Sequence, residues 1–201
     1  MEKRKVCLII NPRDGQNLVK FTAILAVLAA ADCETRIALK EYAGHPQELA
    51  WQPDAEGNSI GVTVWHVSRW LDVVARVFQG KSPEDELWLT QGWAERTSYH
   101  PRGIGYRGLG ALTGYTQQEV AAIPHLSAED LLTYLDQASG ALRAYLVALP
   151  SFEALLQPVP GWGKETPVTQ EQLLKVVFMG CAGHLGEIKA LKAMMKRAQV
   201  A

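Results

Sequence analysis

Two histidines within apolar stretches are the residues of this chain best suited to chemistry. His66 falls inside the apolar arc of a predicted helix that is centred near Val67 and Val74, and His184 falls at the centre of the apolar seam of another. Metal sites in helical bundles are built from side chains that face the core, and imidazole suits Zn, Ni, Fe and Cu. The pair therefore indicates a candidate metal site, although each histidine alone also fits a hydrogen-bonded core residue.

The third ligand of such a site is not obvious from the sequence. A catalytic divalent-metal site normally has three protein ligands and one open position. One helical turn before His184 the chain has Gly180, which offers no ligand. Cys181 lies on the same helical face and would supply a thiolate, but a free cysteine also fits a small buried core residue. We expect His66 and His184 as ligands, with Cys181 or a water completing the site.

The elements that must position these residues are long helices. Apolar residues at three- and four-residue spacing predict four of them, over residues 16–40, 59–79, 128–149 and 169–198. Capping residues mark two of the starts, at Ser127 and at Thr169, and Pro150 ends the third helix. Residues 6–10 are the one strand-like run, and a single strand makes no sheet. The chain is therefore predicted to be all-α, an up-down-type four-helix bundle forming a single domain over residues 1–201.

A long glycine-rich loop, residues 81–126, connects the second and third long helices. Two short helices are predicted within it, one after Ser82 and one from Thr116. Residues 103–108 match the letters G-x-G-x-x-G, but a dinucleotide site needs a strand before the motif and a helix after it. The flanking residues predict neither, so we interpret the motif as a shaped, well-packed loop.

The polar side of the second predicted helix is expected to face solvent but also carries a tryptophan. Ser68, Asp72 and Arg76 mark the side that we expect to face solvent, and Trp65 projects towards that side. An aromatic side chain there indicates a contact either with the long loop or with a second subunit.

Composition excludes several functional classes. The 201 residues include 20 basic and 21 acidic side chains, for a net charge of −1, which argues against electrostatic binding of nucleic acid. Three cysteines without a spacing motif favour reduced thiols over a disulfide framework. The apolar runs at residues 6–10 and 21–31 are too short for a signal peptide and for a bilayer span, respectively. We expect a cytoplasmic protein with no nucleic-acid or membrane partner.

Short motifs around the two histidines carry a family resemblance. They are residues 58–61 (Asn-Ser-Ile-Gly) leading into 65–67 (Trp-His-Val), residues 92–96 (Gly-Trp-Ala-Glu-Arg), residues 113–116 (Thr-Gly-Tyr-Thr) and residues 183–188 (Gly-His-Leu-Gly-Glu-Ile). With these motifs the chain, from about residue 15 to 195, resembles the DinB-like (damage-inducible) superfamily of four-helix-bundle metalloproteins.

This resemblance implies a divalent metal, Zn or Ni, at one end of the core, bound by one histidine of the second helix and two of the last. His66 and His184 match two of these positions, and the middle one falls on Gly180. The resemblance also implies a homodimer and the use of a low-molecular-weight thiol such as bacillithiol or mycothiol. The metal would hold the thiol sulfur as thiolate, its reactive form.

Two functional hypotheses follow. The first is a divalent-metal-dependent thiol S-transferase or isomerase that acts on a small electrophile, with Trp93, Tyr99 and Tyr106 lining the mouth of its site. The second starts from the missing ligand at Gly180: a non-catalytic bundle that acts as a dimeric small-molecule-binding or stress-related protein.

Overall fold

The computed structural model describes Thr35, Leu39, Lys40, Tyr42, residues 45–163 and residues 165–200. In this part of the chain the bounds of seven α-helices are α1 (Pro46–Ala50), α2 (Ile60–Phe78), α3 (Leu87–Thr90), α4 (Trp93–Thr97), α5 (Gln117–Ala121), α6 (Ala128–Ala148) and α7 (Gln170–Ala198). Three 3-10 helices lie at Pro83–Asp85, Tyr106–Gly108 and Phe152–Leu156. The same residues contain no strand, and a single bridge joins Pro158 to Thr169. The all-α prediction is confirmed.

Local caps explain where the three long helices begin. The Ser59 hydroxyl accepts a hydrogen bond from the Val62 N–H at the start of α2, and Ser127 caps α6 in the same way. At α7 the Thr169 hydroxyl accepts from the Gln172 N–H, and the Gln172 side chain accepts from the Thr169 N–H. Each cap satisfies an N–H that has no partner within the helix. The observed bounds agree with the predicted ones to within one residue at each end.

The predicted first helix, residues 16–40, lies outside the described residues except for Thr35, Leu39 and Lys40, which are helical. Leu39 is nonetheless part of a buried apolar cluster that includes Ile188 and Leu191 of α7. No helix in the described part of the chain is long and apolar enough to cross a membrane.

The central helix of the described region is α2, which packs against both α6 and α7. The shared core is formed by buried aliphatic side chains of all three helices, among them Val67, Leu71 and Val74 of α2, Leu135 and Leu142 of α6, and Leu174 and Val177 of α7. Full burial of each such side chain stabilises the fold by about 1.5–3 kcal/mol. This packing holds α2 and α7 side by side and so brings His66 of α2 next to His184 of α7.

The glycine-rich connection folds over the outer side of α2. Trp65 is only 1% exposed, and its ring contacts Trp88 of α3 at 5.9 Å and Tyr99 at 6.0 Å between centroids. Trp93 stacks on Trp88 in the same aromatic cluster. Of the two alternatives for Trp65, the contact with the long loop is therefore the one observed.

The prediction that Ser68 and Asp72 face solvent was wrong, since both are buried. Asp72 accepts hydrogen bonds from the N–H groups of Leu87 and Trp88, at 2.8 and 3.0 Å, and so caps the start of α3. The amphipathic pattern of α2 assigned these polar residues to water, but the connection covers that face and supplies partners for them.

A buried arginine joins the connection to α2. Arg69 is 0% exposed and donates to Asp72 at 3.1 Å and to Glu86 at 2.8 Å. It also donates to two backbone carbonyls of the loop, those of Leu109 and Gly110, at 3.2 and 3.0 Å. Because a buried charge is tolerated only when it is paired and hydrogen-bonded, this network ties the loop to the helix.

Candidate functional site

A cavity of about 730 Å³ lies between α2, α7, the glycine-rich loop and the segment that precedes α7. The wall formed by α2 includes His66 and Trp70, which lie one helical turn apart. The wall formed by α7 runs over several turns and ends at His184. This volume is in the range of small-molecule sites, which are concave and mostly apolar with a few polar groups.

The two histidines singled out from the sequence meet in this cavity. The ring centroids of His66 and His184 are 4.6 Å apart, and the ring planes are perpendicular. The His66 residue is buried at 7% exposure, whereas 28% of the His184 side chain is exposed. Packing of α2 against α7 thus brings together two imidazoles that are far apart in the sequence.

The orientation of His66 is set by the loop. Its Nδ1 lies 2.6 Å from the carbonyl oxygen of Ala111. A carbonyl only accepts hydrogen bonds, so Nδ1 carries the hydrogen and the lone pair of the neutral ring lies on Nε2. Burial, with a smaller contribution from the nearby His184, lowers the pKa of His66 to about 4 against the opposing effect of the Ala111 carbonyl. At neutral pH His66 is an uncharged acceptor.

The orientation of His184 is set by its own helix. Its Nδ1 lies 2.8 Å from a carboxylate oxygen of Glu187, one turn further along α7. The hydrogen bond with His184 holds the pKa of Glu187 below its usual range, with further hydrogen bonds to Asn58 and Thr63 acting in the same direction. The carboxylate therefore accepts the Nδ1 hydrogen, and a neutral His184 keeps its lone pair on Nε2. Carboxylates and carbonyls hold metal-binding histidines in the same way.

The described residues supply two imidazoles for a metal, one fewer than the usual three protein ligands. In the described ranges no group of three or more His, Cys, Asp or Glu side chains is placed to hold an ion. Gly180, one turn before His184, lines the cavity, and a Cβ atom built on it would meet no heavy atom within 4 Å. The space for a third side chain is present, but the chain has no ligand there. The residues that the structure describes therefore do not complete a three-ligand metal site.

Cys181, the predicted alternative ligand, also lines the cavity. It is half-buried and packs against the apolar core shared by α2, α6 and α7. Burial raises the pKa of its thiol to about 11, so the thiol is neutral at physiological pH. Its surroundings are those of a small apolar side chain.

The three aromatic residues predicted at the mouth are in different places. Tyr106 lines the cavity and is 49% exposed. Trp93 lies in the buried aromatic cluster, where its Nε1 donates to Gln137 at 2.8 Å. Tyr99 lies in the same cluster, and its hydroxyl pairs with that of Tyr115 at 3.4 Å. The structure therefore places Trp93 and Tyr99 under the loop and not among the residues that line the cavity.

Two other tryptophans, which were not among the three residues predicted at the mouth, form part of the cavity wall. Trp70 donates from Nε1 to the Thr113 hydroxyl at 3.3 Å, and its ring lies 6.3 Å from that of Trp162. The Arg107 guanidinium lies 4.9 Å from the centre of the Trp162 ring and donates to the Gly161 carbonyl. The sequence did contain one indication for Trp70: it lies one helical turn after His66 and so on the same face of α2.

The G-x-G-x-x-G segment is a packed loop, as we interpreted it. Its N–H groups are used within the loop: Gly103 donates to the Gly108 carbonyl, Gly108 to Gly105, and Tyr106 to Thr113. Gly105 has a φ of +67°, and a Cβ there would lie 2.6 Å from the Thr113 oxygen. Glycine is required by this close approach, and the N–H groups that a phosphate would need are already bonded.

Comparison with known proteins agrees with this architecture. The family model described as the DinB superfamily matches residues 33–188, which is more than half of the chain. This chain belongs to the DinB superfamily. The match includes α2, the glycine-rich loop, α6 and the part of α7 that carries His184, so the resemblance inferred from the sequence is confirmed.

A solved structure shares the fold of this DinB superfamily chain. It is described as the crystal structure of the conserved protein of locus from Enterococcus faecalis, and it is 20% identical with a TM-score of 0.71. The alignment covers 86% of this chain and 95% of that chain. No match was found among curated proteins.

Proposed function

We propose that this DinB superfamily protein binds a small, largely apolar molecule in the cavity between α2 and α7. The observation that supports this is the pairing of His66 and His184 at the wall of a cavity of about 730 Å³ whose other surfaces are mainly apolar and aromatic. A few convergent polar groups in such a cavity typically orient a ligand. This is the small-molecule-binding alternative of the two hypotheses drawn from the sequence.

A variant that fills the cavity tests this proposal. Gly180 lines the cavity, and the space around its Cβ direction is open, so Gly180→Leu would occupy ligand volume without a backbone clash. We expect the purified protein to bind N-phenyl-1-naphthylamine, a dye whose emission rises in apolar surroundings. The Gly180→Leu variant is expected to weaken this binding at least tenfold.

The matched control is Gly183→Leu. Gly183 is exposed on the same helix, has equally open space around its Cβ direction and is not among the residues that line the cavity. Both changes replace a helical glycine and raise helix propensity by a similar amount. Equal dye binding by the two variants would contradict a ligand site in this cavity.

A metal-assisted thiol S-transferase is the second candidate function. The hydrogen bonds from Nδ1 of His66 to Ala111 and from Nδ1 of His184 to Glu187 favour it, because they leave both Nε2 lone pairs free. Against it stands the missing third ligand at Gly180. This candidate requires a further ligand beyond the described residues, such as the sulfur of a low-molecular-weight thiol.

Metal analysis separates the two candidates. The protein would be purified without chelating resin, and Zn and Ni would be measured with and without added thiol. A content near one ion per chain that falls in His66→Ala would support the transferase. A content below about a tenth of an ion per chain under both conditions would leave the small-molecule-binding function.

Homodimer formation is a separate proposal that rests on the family resemblance. One chain has a mass of 22.1 kDa, so sedimentation equilibrium distinguishes a dimer, at twice this mass, from a monomer. A single-chain mass across the accessible concentration range would contradict the dimer.

A further inference from the structure

The polar end of the cavity presents two hydrogen-bond acceptors side by side. His66 and His184 each donate from Nδ1, to the Ala111 carbonyl and to the Glu187 carboxylate respectively. In the part of the chain that the structure describes, neither Nε2 makes a hydrogen bond. A neutral imidazole that donates from one nitrogen accepts at the other. In their neutral forms the two rings, 4.6 Å apart, therefore offer lone pairs and no hydrogen to a bound molecule.

Two other polar side chains along the cavity, those of Thr113 and Gln172, already accept hydrogen bonds. The Thr113 hydroxyl accepts from Trp70, and the Gln172 carboxamide oxygen accepts from the Thr169 N–H at the start of α7. Between Gln172 and His184 the α7 wall is formed by Leu173, Val176, Val177, Gly180 and Cys181. Twelve residues of helix separate these two ends, which corresponds to about 18 Å. The cavity is thus elongated and apolar, with free acceptors at one end.

We infer that the ligand of this cavity is an apolar, elongated molecule with a neutral hydrogen-bond donor at one end, a hydroxyl, thiol or N–H group, which donates to the Nε2 atom of His66 or of His184. This inference rests on the proposed small-molecule-binding function and names the chemical class of its ligand.

The alternative head group, an anion, is disfavoured by the same arrangement. A carboxylate would face two lone pairs, and the Glu187 carboxylate lies directly behind the His184 ring. An ether or a hydrocarbon would fill the apolar part but leave both Nε2 acceptors without a partner, which costs binding because these atoms lose water on ligand entry. A donor head group gives one of the two acceptors a hydrogen-bond partner, which neither an anion nor an ether does, so we expect the head group to set the affinity.

Three probes with one naphthalene body test the inference: 2-naphthol carries a donor, 2-methoxynaphthalene carries none, and 2-naphthoate carries an anion. Binding to the full chain at pH 7.5 would be measured by equilibrium dialysis. We expect 2-naphthol to bind at least tenfold tighter than either of the other two. Equal affinities, or tighter binding of 2-naphthoate, would overturn the donor preference while leaving a small-molecule site in place.

The variant His184→Phe keeps a ring and removes the acceptor. We expect it to reduce the ratio of 2-naphthol to 2-methoxynaphthalene affinity to within about threefold, whereas His100→Phe, at an exposed position outside the cavity, keeps the full ratio. A retained tenfold ratio in a folded His184→Phe protein would contradict the role of His184. If that variant does not fold, the ratio in the unmodified protein still decides the inference. Absence of binding by all three probes would instead contradict the proposed function itself.

Discussion

His66 and Arg69, one turn apart on α2, together bind three consecutive backbone carbonyls of the glycine-rich loop. Arg69 donates to Leu109 and Gly110, and His66 donates to Ala111. The residue that faces the cavity and the residue that carries the buried charge are thus held by the same stretch of loop. A change in this stretch of loop should therefore affect both the stability of the protein and the shape of its cavity.

Removing the buried charge should destabilise the protein strongly. Arg69→Met leaves Asp72 and Glu86 without their shared buried partner, and breaking a buried pair costs about 3–5 kcal/mol in the free energy of unfolding. Urea unfolding measures this change. As a control, Arg96→Met removes an ion pair with Asp130 in which both side chains are well exposed, and it should cost no more than about 1 kcal/mol. Similar losses in both variants would contradict the role given to Arg69.

Acid should weaken the fold through His66. Its pKa is about 4 in the folded protein and about 6.5 in an unfolded chain, so the unfolded state binds more protons between these values. The stability contributed by the neutral ring is fully present above pH 6.5 and is lost as the pH falls to 4, by up to about 3 kcal/mol. His66→Gln cannot titrate and should lose correspondingly less stability over this range.

The control for this titration is His100→Gln, at an exposed position. Its unfolding free energy should depend on pH as that of the unmodified protein does. The same pH dependence in His66→Gln and in the unmodified protein would show that His66 titrates normally.

A histidine at position 180 should create a metal site. It would lie one turn before His184, on the same face of α7, in space where a Cβ meets no heavy atom within 4 Å. With His66 it would complete three imidazoles, a ligand set typical of zinc. We expect Gly180→His to bind Zn²⁺ at least tenfold tighter than the unmodified protein in calorimetry. Gly183→His, outside the cavity, should leave the affinity unchanged, and equal gains in both variants would point to surface binding.

The thiol of Cys181 should react slowly. With a pKa of about 11, its thiolate fraction at pH 8 is roughly 100-fold or more below that of an ordinary cysteine. In a chain with Cys7→Ser and Cys33→Ser, a chromogenic disulfide reagent should modify Cys181 at a correspondingly reduced rate, and the rate should become normal in denaturant. A rate in the folded protein equal to that of a small free thiol would contradict the buried position.

Local patterns were sufficient to predict three of the four expected long helices and the pairing of the histidines. Apolar spacing and capping residues set the bounds of α2, α6 and α7 because both act within a few residues of the chain. His66 and His184 could be paired because each lies on the apolar face of its own helix. The G-x-G-x-x-G segment at residues 103–108 was correctly predicted to be a packed loop. A dinucleotide site requires a strand before the motif and a helix after it, and the flanking sequence predicts neither.

The contacts between these helices and the glycine-rich loop could not be predicted from the same patterns. Asp72 was assigned to solvent because a helical wheel contains no information about a loop that folds over the polar face. Trp93 and Tyr99 were expected at the mouth, yet they pack beneath the loop because Trp65, Trp88 and Tyr134 offer an aromatic surface there. The spacing of His184 and Glu187 was visible, but the hydrogen bond between them depends on rotamers that the sequence does not specify.

The two imidazoles differ in whether a substitution can remove the group that orients them. The ring of His184 is oriented by the side chain of Glu187, so a substitution of that residue by one without a carboxylate removes the hydrogen bond. The ring of His66 is oriented by the main chain at Ala111, and no replacement of that side chain deletes a carbonyl oxygen. Changes of the loop side chains therefore leave His66 oriented as long as the backbone path is kept, whereas the orientation of His184 depends on a carboxylate at position 187.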